Sequence, residues 1–221
     1  MQVTINEDKV RNYVYKISSI YNTFGSTRDF VTATKKTVQV SGGNYGWIVD
    51  NSKEVKDLIE IIRNGQDVTK EPKYAQNAFV KGTNDIGNTY VEVNLTKQHV
   101  WFYKNGALVV DDDVVTGNVS NNTGTPAGTY VLNYKEKNAT LKGEDYSSPV
   151  DYWMPFNGNV GIHDASWRNG VFGKQIYLTS GSHGCVNSPY NLAKTIFENI
   201  EPGTPIIAVS YTHLWWREGG V

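Results

Sequence analysis

The second half of the chain consists mainly of short runs in which apolar and polar residues alternate, the pattern of strands with one buried face. In "TYVEVNL" the apolar residues Val91, Val93 and Leu95 occupy every second position. "HVWFYKNGALVV" contains Asn105-Gly106, the dipeptide most typical of a two-residue hairpin turn. Similar runs follow in "GTYVLNY", "YWMPF", "VGIHD", "QIYLT" and "TPIIAVS". This spacing predicts a β-sandwich or an open barrel.

One helix is predicted among these strands. It begins at Ser188, with Pro189 in its first turn, where the missing N–H of proline costs nothing. We expect it to dock on the strands through its apolar face. That face comprises Leu192, Ala193, Ile196, Phe197 and Ile200.

The first 83 residues have a different texture, with two helices and the short strands "DFVTAT", "KTVQV" and "YGWIVD". Apolar residues at three- and four-residue steps predict a helix from the N-cap Asn6 to Gly25. A second helix is predicted from Asn51 to Gly65, since Asn51 and Glu54 resemble a capping box.

The fold class is therefore α+β, with a small mixed α/β domain over residues 1–83 and a mostly β domain over residues 87–210. The balance of 21 basic and 22 acidic residues gives a net charge of −1, which offers no electrostatic basis for binding nucleic acid. No apolar run approaches the length needed to span a bilayer. Membrane attachment would therefore need an anchor that the chain does not contain.

Cys185 is the only cysteine in the chain, and it lies in the polar run "GSHGCVNS". A cysteine used only for packing usually lies in an apolar run, so this position favours a reactive thiol over a structural one. A following helix N-terminus and a histidine, either His163 or His183, are features that lower a thiol pKa. Gly184 allows close backbone approach, so the amides of Gly184 and Cys185 are candidates for an oxyanion hole.

Zinc binding is an alternative for the same residues. His163, His183 and Cys185 are all zinc-ligand types, although no fourth ligand accompanies them.

The motifs "IHDASW" and "SGSHGCVN" resemble the active-site signature of the L,D-transpeptidases, which have a YkuD-type catalytic domain. The resemblance extends through "NTYVEVNLTKQHVWFYKNGALV", "VVTG", "TGTPAGTY" and "VDYWMPF", and so covers residues 87 to 210. Residues 1–83 resemble the peptidoglycan-binding domain that precedes this catalytic domain in Gram-positive members.

The resemblance implies cysteine acyl transfer between peptidoglycan stem peptides, forming 3→3 cross-links without a metal or cofactor. It implies that Cys185 is the nucleophile and that His163 is the base, oriented by the backbone carbonyl of Asp164. It places His183 and Ser182 in the pocket wall. Three further positions follow from it: Gly184 beside the nucleophile, Trp167 against the substrate and Asn187 as a loop support. It also implies that carbapenem β-lactams acylate Cys185.

Two other functions remain open: one uses the same catalytic residues with a different acceptor, and the other uses no catalytic residues. With water as acceptor the enzyme would be an L,D-carboxypeptidase or endopeptidase, and with a dead site the chain would be a wall-binding module. The family acts outside the cell, at the wall. We therefore expect an export or anchor segment outside this chain, and we expect residues 211–221, "YTHLWWREGGV", to be a non-native tail.

Overall fold

The computed structural model describes residues 4–82, 84–143 and 147–211. The chain forms two compact units. The first combines Met1–Ser26 with Tyr45–Ala78, and the second combines Thr27–Asn44 with Phe79–Val221. This division differs from the sequence-based boundary at residue 83, because residues 27–44 cluster with the strand-rich second unit.

The first unit contains two helices, α1 (Glu7–Tyr21) and α2 (Asn51–Arg63), and a two-stranded sheet. Asn6 caps α1 as predicted, its side-chain oxygen accepting from the Lys9 amide. The cap of α2 is Asp50 rather than the predicted Asn51, because the Asp50 carboxylate accepts from the Lys53 amide. The two strands are β3 (Ile48–Val49) and β4 (Tyr74–Gln76).

The two helices pack through a narrow apolar stripe. Val10 and Val14 of α1 meet Val55 and Ile59 of α2 in one buried cluster. Tyr13 also follows the three- and four-residue spacing that predicts α1, but it lies outside this stripe and is 58% exposed. The helix also ends at Tyr21 rather than at the predicted Gly25, so Phe24 lies outside it.

The second unit has its hydrophobic core between a four-stranded and a five-stranded β-sheet, which confirms the predicted strand-rich fold. The four-stranded sheet has the order β12 (Val186–Ser188), β11 (Val160–Asp164), β10 (Ser147–Asn157) and β9 (Glu136–Lys142). The five-stranded sheet has the order β7 (Ala107–Asp113), β6 (His99–Lys104), β5 (Tyr90–Asn94), β13 (Pro205–Val209) and β8 (Gly128–Val131).

Three helical segments accompany the sheets: a 3₁₀ turn (Ser166–Arg168), α3 (Ile176–Ser180) and α4 (Tyr190–Asn199). The docked helix predicted from Ser188 is α4, with Pro189 at its N-cap. It buries apolar side chains in the core between the sheets. The predicted strand "QIYLT" is instead α3, because its amides bond within the segment, as from Leu178 to the Gln175 carbonyl.

The Asn105-Gly106 turn joins β6 and β7 as predicted, with φ of 54° and 81°. The alternation of β5, in contrast, does not leave one face in water. Glu92 and Asn94 are as fully buried as Val91 and Val93. A hairpin of β1 (Arg28–Val31) and β2 (Thr37–Val40) belongs to this unit, and the Ala33 amide between its strands donates to Glu92 at 2.7 Å.

Arg28 ties the same hairpin to the rest of the second unit through a buried ion pair. Its Nε and Nη2 donate to the two carboxylate oxygens of Asp85, both at 2.7 Å. The side chains are only 6% and 1% exposed. Solvent therefore screens this pair far less than an exposed one.

The expected tail is described only at its first residue. Tyr211 is the only described residue of the expected tail, and its hydroxyl lies 2.8 Å from the Thr34 hydroxyl; the other tail positions are outside the described residues. The helices in the described part of the chain are all too short or too polar to span a bilayer.

We predict that Arg28→Ala lowers the free energy of unfolding by about 3–5 kcal/mol, because it removes the buried counter-charge of Asp85. Urea unfolding followed by tryptophan fluorescence measures the change. The matched control is Lys53→Ala, which removes an exposed ion pair with Asp50 and should leave the unfolding curve unchanged. Equal effects of the two substitutions would contradict the prediction.

Candidate active site

The pairing of β12 with β11 brings together residues that are more than twenty positions apart in sequence. The two strands are parallel, with Ile162 opposite Val186 and His163 opposite Asn187. Ile162 and Val186 point into the core. Because side chains alternate along a strand, His163 and Asn187 lie on the other face, and Cys185 shares the face of Asn187.

A long crossover makes this pairing possible. Parallel strands need a connection of a dozen residues or more, and here it runs from residue 165 to residue 185. The crossover contains the 3₁₀ turn and α3, and it ends on the loop that precedes Cys185. The signature motifs thus lie at the two ends of one connection.

His163 is buried and held from both sides. Its Nδ1 lies 2.8 Å from the Asp164 carbonyl oxygen, which can only accept, so Nδ1 carries the proton and Nε2 has the lone pair. The rings of Trp153 and Trp167 are centred 5.9 and 5.7 Å from the imidazole. Burial lowers the pKa of His163, which favours the neutral imidazole that a general base requires.

Asn187 connects this histidine to Arg168. When the amide is oriented to give both of its atoms a partner, its nitrogen donates to His163 Nε2 at 3.2 Å. Its oxygen then accepts from Arg168 Nε at 2.8 Å and Nη2 at 3.0 Å. Arg168 Nη2 also lies 3.2 Å from the Ser180 carbonyl oxygen. Asn187 therefore touches the candidate base directly and does more than support a loop.

Cys185 is partly buried and packs beside Trp153. Its thiol donates to the Asn159 carbonyl oxygen at 3.4 Å. Burial raises the pKa of Cys185 to about 11, and a hydrogen bond from the Gly161 amide opposes this only in part. This direction is opposite to the one expected from a following helix N-terminus and a neighbouring histidine, because burial outweighs them.

The loop before the cysteine is closed by Ser182. Its hydroxyl donates to the Cys185 carbonyl oxygen at 2.6 Å and accepts from the Gly184 amide at 3.1 Å. The Gly184 amide is therefore hydrogen-bonded within the loop, whereas the predicted oxyanion hole requires this amide to face the substrate. Gly184 has φ of 117°, a conformation that other residues rarely adopt.

Two threonines of the "TGTPAGTY" motif hold the same loop from outside. Thr125 donates to the Gly184 carbonyl oxygen at 2.6 Å, and Thr123 donates to the Ser182 carbonyl oxygen at 3.1 Å. These bonds fix the backbone on either side of His183, which is itself exposed. The role of this motif is to shape the loop that presents the thiol.

A cavity of about 230 Å³ opens over these groups. It is lined by all but two of the predicted site residues: His163, Trp167, Ser182, His183, Cys185 and Asn187. The other two, Gly184 and Asp164, act through their backbones. The Asp164 carboxylate accepts from the amides of Asp151 and Tyr152, at 2.9 and 2.8 Å, and so serves the sheet.

The sequence interpretation missed some lining residues, namely Arg168, Leu141 and Ser148. Arg168 directly follows the "IHDASW" motif, which is the one available signal. Leu141 lies in β9, whose polar sequence "EKNATLK" does not read as a strand and is recruited by pairing with β10. Within the described residues no group of three histidine, cysteine or carboxylate side chains is arranged to hold a metal ion.

The comparisons with known proteins agree with this geometry. Residues 88–207 match the YkuD family, the L,D-transpeptidase catalytic domain, and residues 1–70 match the family described as "Putative peptidoglycan binding domain". The first match covers more than half of the chain. The chain therefore belongs to the YkuD L,D-transpeptidase family.

Solved structures support the same assignment. A mutant of Enterococcus faecium L,D-transpeptidase is 37% identical, with a TM-score of 0.79 over 94% of this chain and 84% of that chain. The Ldtfm–avibactam carbamoyl enzyme has the same identity and TM-score, over 94% of this chain and 82% of that chain. The E. faecium catalytic domain acylated by ertapenem is 43% identical, with a TM-score of 0.51 over 56% and 98%. No curated protein sequence matched the chain.

We predict that the free enzyme alkylates slowly at neutral pH, because a raised pKa leaves little Cys185 thiolate until the pH approaches about 11. Iodoacetamide labelling at increasing pH, followed by intact mass, measures the rate at the single cysteine, with glutathione as the reference thiol. The rate should still be rising where glutathione has levelled off. A plateau near neutral pH would contradict the prediction.

Proposed function

We propose that the chain is a cysteine acyltransferase that joins peptidoglycan stem peptides through 3→3 cross-links. Membership of the L,D-transpeptidase family supports the class of reaction. The observation that carries the proposal is the β11–β12 register, which places Cys185 and His163 in the wall of one cavity. Their chemistry, a thiol and a neutral imidazole, is that of nucleophile and general base.

In the first half-reaction, the Cys185 sulfur attacks the carbonyl carbon between the third residue of a donor tetrapeptide and its terminal D-Ala. His163 Nε2 takes the thiol proton and returns it to the departing D-Ala amine as the carbon–nitrogen bond breaks. The products are a thioester on Cys185 and free D-Ala.

In the second half-reaction, the side-chain amine of the third residue of another stem attacks the thioester carbonyl. His163 accepts a proton from this amine and gives it to the departing Cys185 sulfur. One amide bond is made for each one broken, so the exchange needs no external source of energy.

Other cavity residues are assigned supporting roles. Trp167 is 45% exposed beside the His163 ring, so it is placed to contact the donor peptide. Ser182 and Gly184 keep the nucleophile loop in shape, and His183 forms part of the pocket wall. For Gly184 to stabilise an oxyanion, its amide must exchange the Ser182 hydroxyl for the substrate oxygen.

The N-terminal residues have a different assignment. Because residues 1–70 match a peptidoglycan-binding family, we assign residues 1–83 the task of holding the enzyme on the wall. The site of action is accordingly the cell wall. The catalytic machinery itself lies wholly in residues 87–210.

The first test is product analysis with a tetrapeptide stem, with and without a second stem as acceptor. We predict release of D-Ala and a cross-linked dimer with the parent, and neither product with Cys185→Ala, which lacks the nucleophile. Mass spectrometry identifies both products. A tripeptide without dimer, even at high acceptor concentration, would show a carboxypeptidase instead, and full activity of Cys185→Ala would overturn the mechanism.

The second test separates the histidines by their rates of acylation with ertapenem, read as intact mass. We predict that His163→Ala slows acylation by about 10²–10⁴-fold, the usual contribution of a general base. His99→Ala is the matched control, since His99 does not line the cavity. Its ring nitrogens instead contact Asp111 and Asp113. A larger loss in His183→Ala than in His163→Ala would overturn the assignment of the base.

A further inference from the structure

Arg168 is a cavity residue that the proposed reaction leaves without a role. It is a half-buried cation that ends the 3₁₀ turn after Trp167. Its guanidinium is turned toward Asn187 and the Ser180 carbonyl oxygen. Burying part of a guanidinium costs free energy unless its donors are satisfied, so this placement calls for an explanation.

The contact with Asn187 is directional. A guanidinium has donors only, and here two of them, Nε and Nη2, converge on one atom of the Asn187 amide. That atom must therefore be the amide oxygen. The amide nitrogen is then forced to face His163 Nε2, at 3.2 Å.

We propose that Arg168 is a positioning residue, which locks the Asn187 amide so that its nitrogen faces Nε2 of the base His163. This inference rests on the proposed function, because it takes His163 as the base. Without Arg168 the amide is free to reverse and to present its oxygen to Nε2. A reversed amide would favour a proton on Nε2, which would leave no lone pair there to accept the thiol proton. The amide nitrogen instead keeps the lone pair on Nε2, and the proton transfer needs only that this one hydrogen bond be exchanged for the thiol.

Both ring nitrogens of His163 have a hydrogen-bond partner in this arrangement. The Asp164 carbonyl oxygen accepts at Nδ1, and Asn187 donates at Nε2. The ring is thereby held in one plane and one tautomer before substrate binds. A fixed geometry of this kind lowers the cost of reaching the transition state.

The charge of Arg168 acts in the same direction as its hydrogen bonds. Burial is the main cause of the lowered pKa of His163, and the Arg168 charge lowers it further, whereas Asp164 raises it. Removing the cation should therefore raise the pKa of His163. The rate of acylation would then begin to fall at a higher pH, because the base must be neutral to act.

The test compares Arg168→Met with Arg168→Lys by the rate of ertapenem acylation across pH. Arg168→Met removes both charge and donors but keeps the length of the side chain. We expect it to slow acylation by up to roughly 100-fold, as for a misplaced catalytic group. We also expect the fall of the acylation rate at low pH, the acidic limb of the pH–rate profile, to begin at a higher pH. Arg168→Lys keeps the charge but lacks the fork of two donors, so it should lose rate while the limb stays at its parent position.

A third variant reverses the sign of the effect on the base. Asn187→Asp places a carboxylate between Arg168 and His163 that can accept from both. It should stabilise the imidazolium and move the acidic limb of acylation further upward. Titration of His163 by ¹⁵N NMR of the labelled imidazole measures the same shift directly.

Controls separate this inference from the proposed function. Arg11→Gln, an exposed arginine of α1, should match the parent in every measurement. Parent rates and parent limbs in both Arg168 variants would overturn the inference, as would a slower Arg168→Met with lowered melting temperature and an unshifted limb. If His163→Ala also acylates at the parent rate, the proposed function fails with it.

Discussion

The parallel pairing of β11 with β12 is the constraint on which the site depends. Every other pairing within the four-stranded sheet is antiparallel, so β12 reaches its place only through the crossover of residues 165–185. The register then puts Ile162 and Val186 into the core and leaves their neighbours on the outer face. A slip of one residue would exchange the two faces and bury the polar pair. Packing of the core therefore secures the geometry of the site.

In the free enzyme, the proposed nucleophile and the proposed base are hydrogen-bonded to different residues. The Cys185 thiol is hydrogen-bonded to the Asn159 carbonyl oxygen, and Nε2 of His163 is hydrogen-bonded to Asn187. Burial favours the neutral forms of both groups, since it raises the pKa of the thiol and lowers that of the imidazole. In the proposed reaction, proton transfer therefore accompanies attack on a bound carbonyl.

The outer face of the five-stranded sheet shows how a second segment changes the chemistry of a strand. Glu92 would be a solvated residue if β5 had only the strands beside it. The hairpin of residues 27–44 covers this face, so its Ala33 amide reaches the Glu92 carboxylate and Arg28 pairs with Asp85. Burial accordingly raises the pKa of Glu92. A segment that the sequence-based boundary grouped with residues 1–83 thus packs within the strand-rich second unit.

Local chemistry is what the sequence determined by itself: the Asn6 cap, the Asn105-Gly106 turn and the motif that marks Cys185, each of which depends on residues a few positions apart. Tertiary structure alone decided the rest. The run "QIYLT" forms α3, because a short apolar run is compatible with either a helix or a strand. Its tertiary surroundings determine which of the two forms. Arg168 lies in the site because the crossover of residues 165–185 returns to pair β12 with β11. No local sequence pattern predicts where that crossover ends. Long-range pairing places side chains from distant segments together, and its free energy comes from burial that only the folded chain provides.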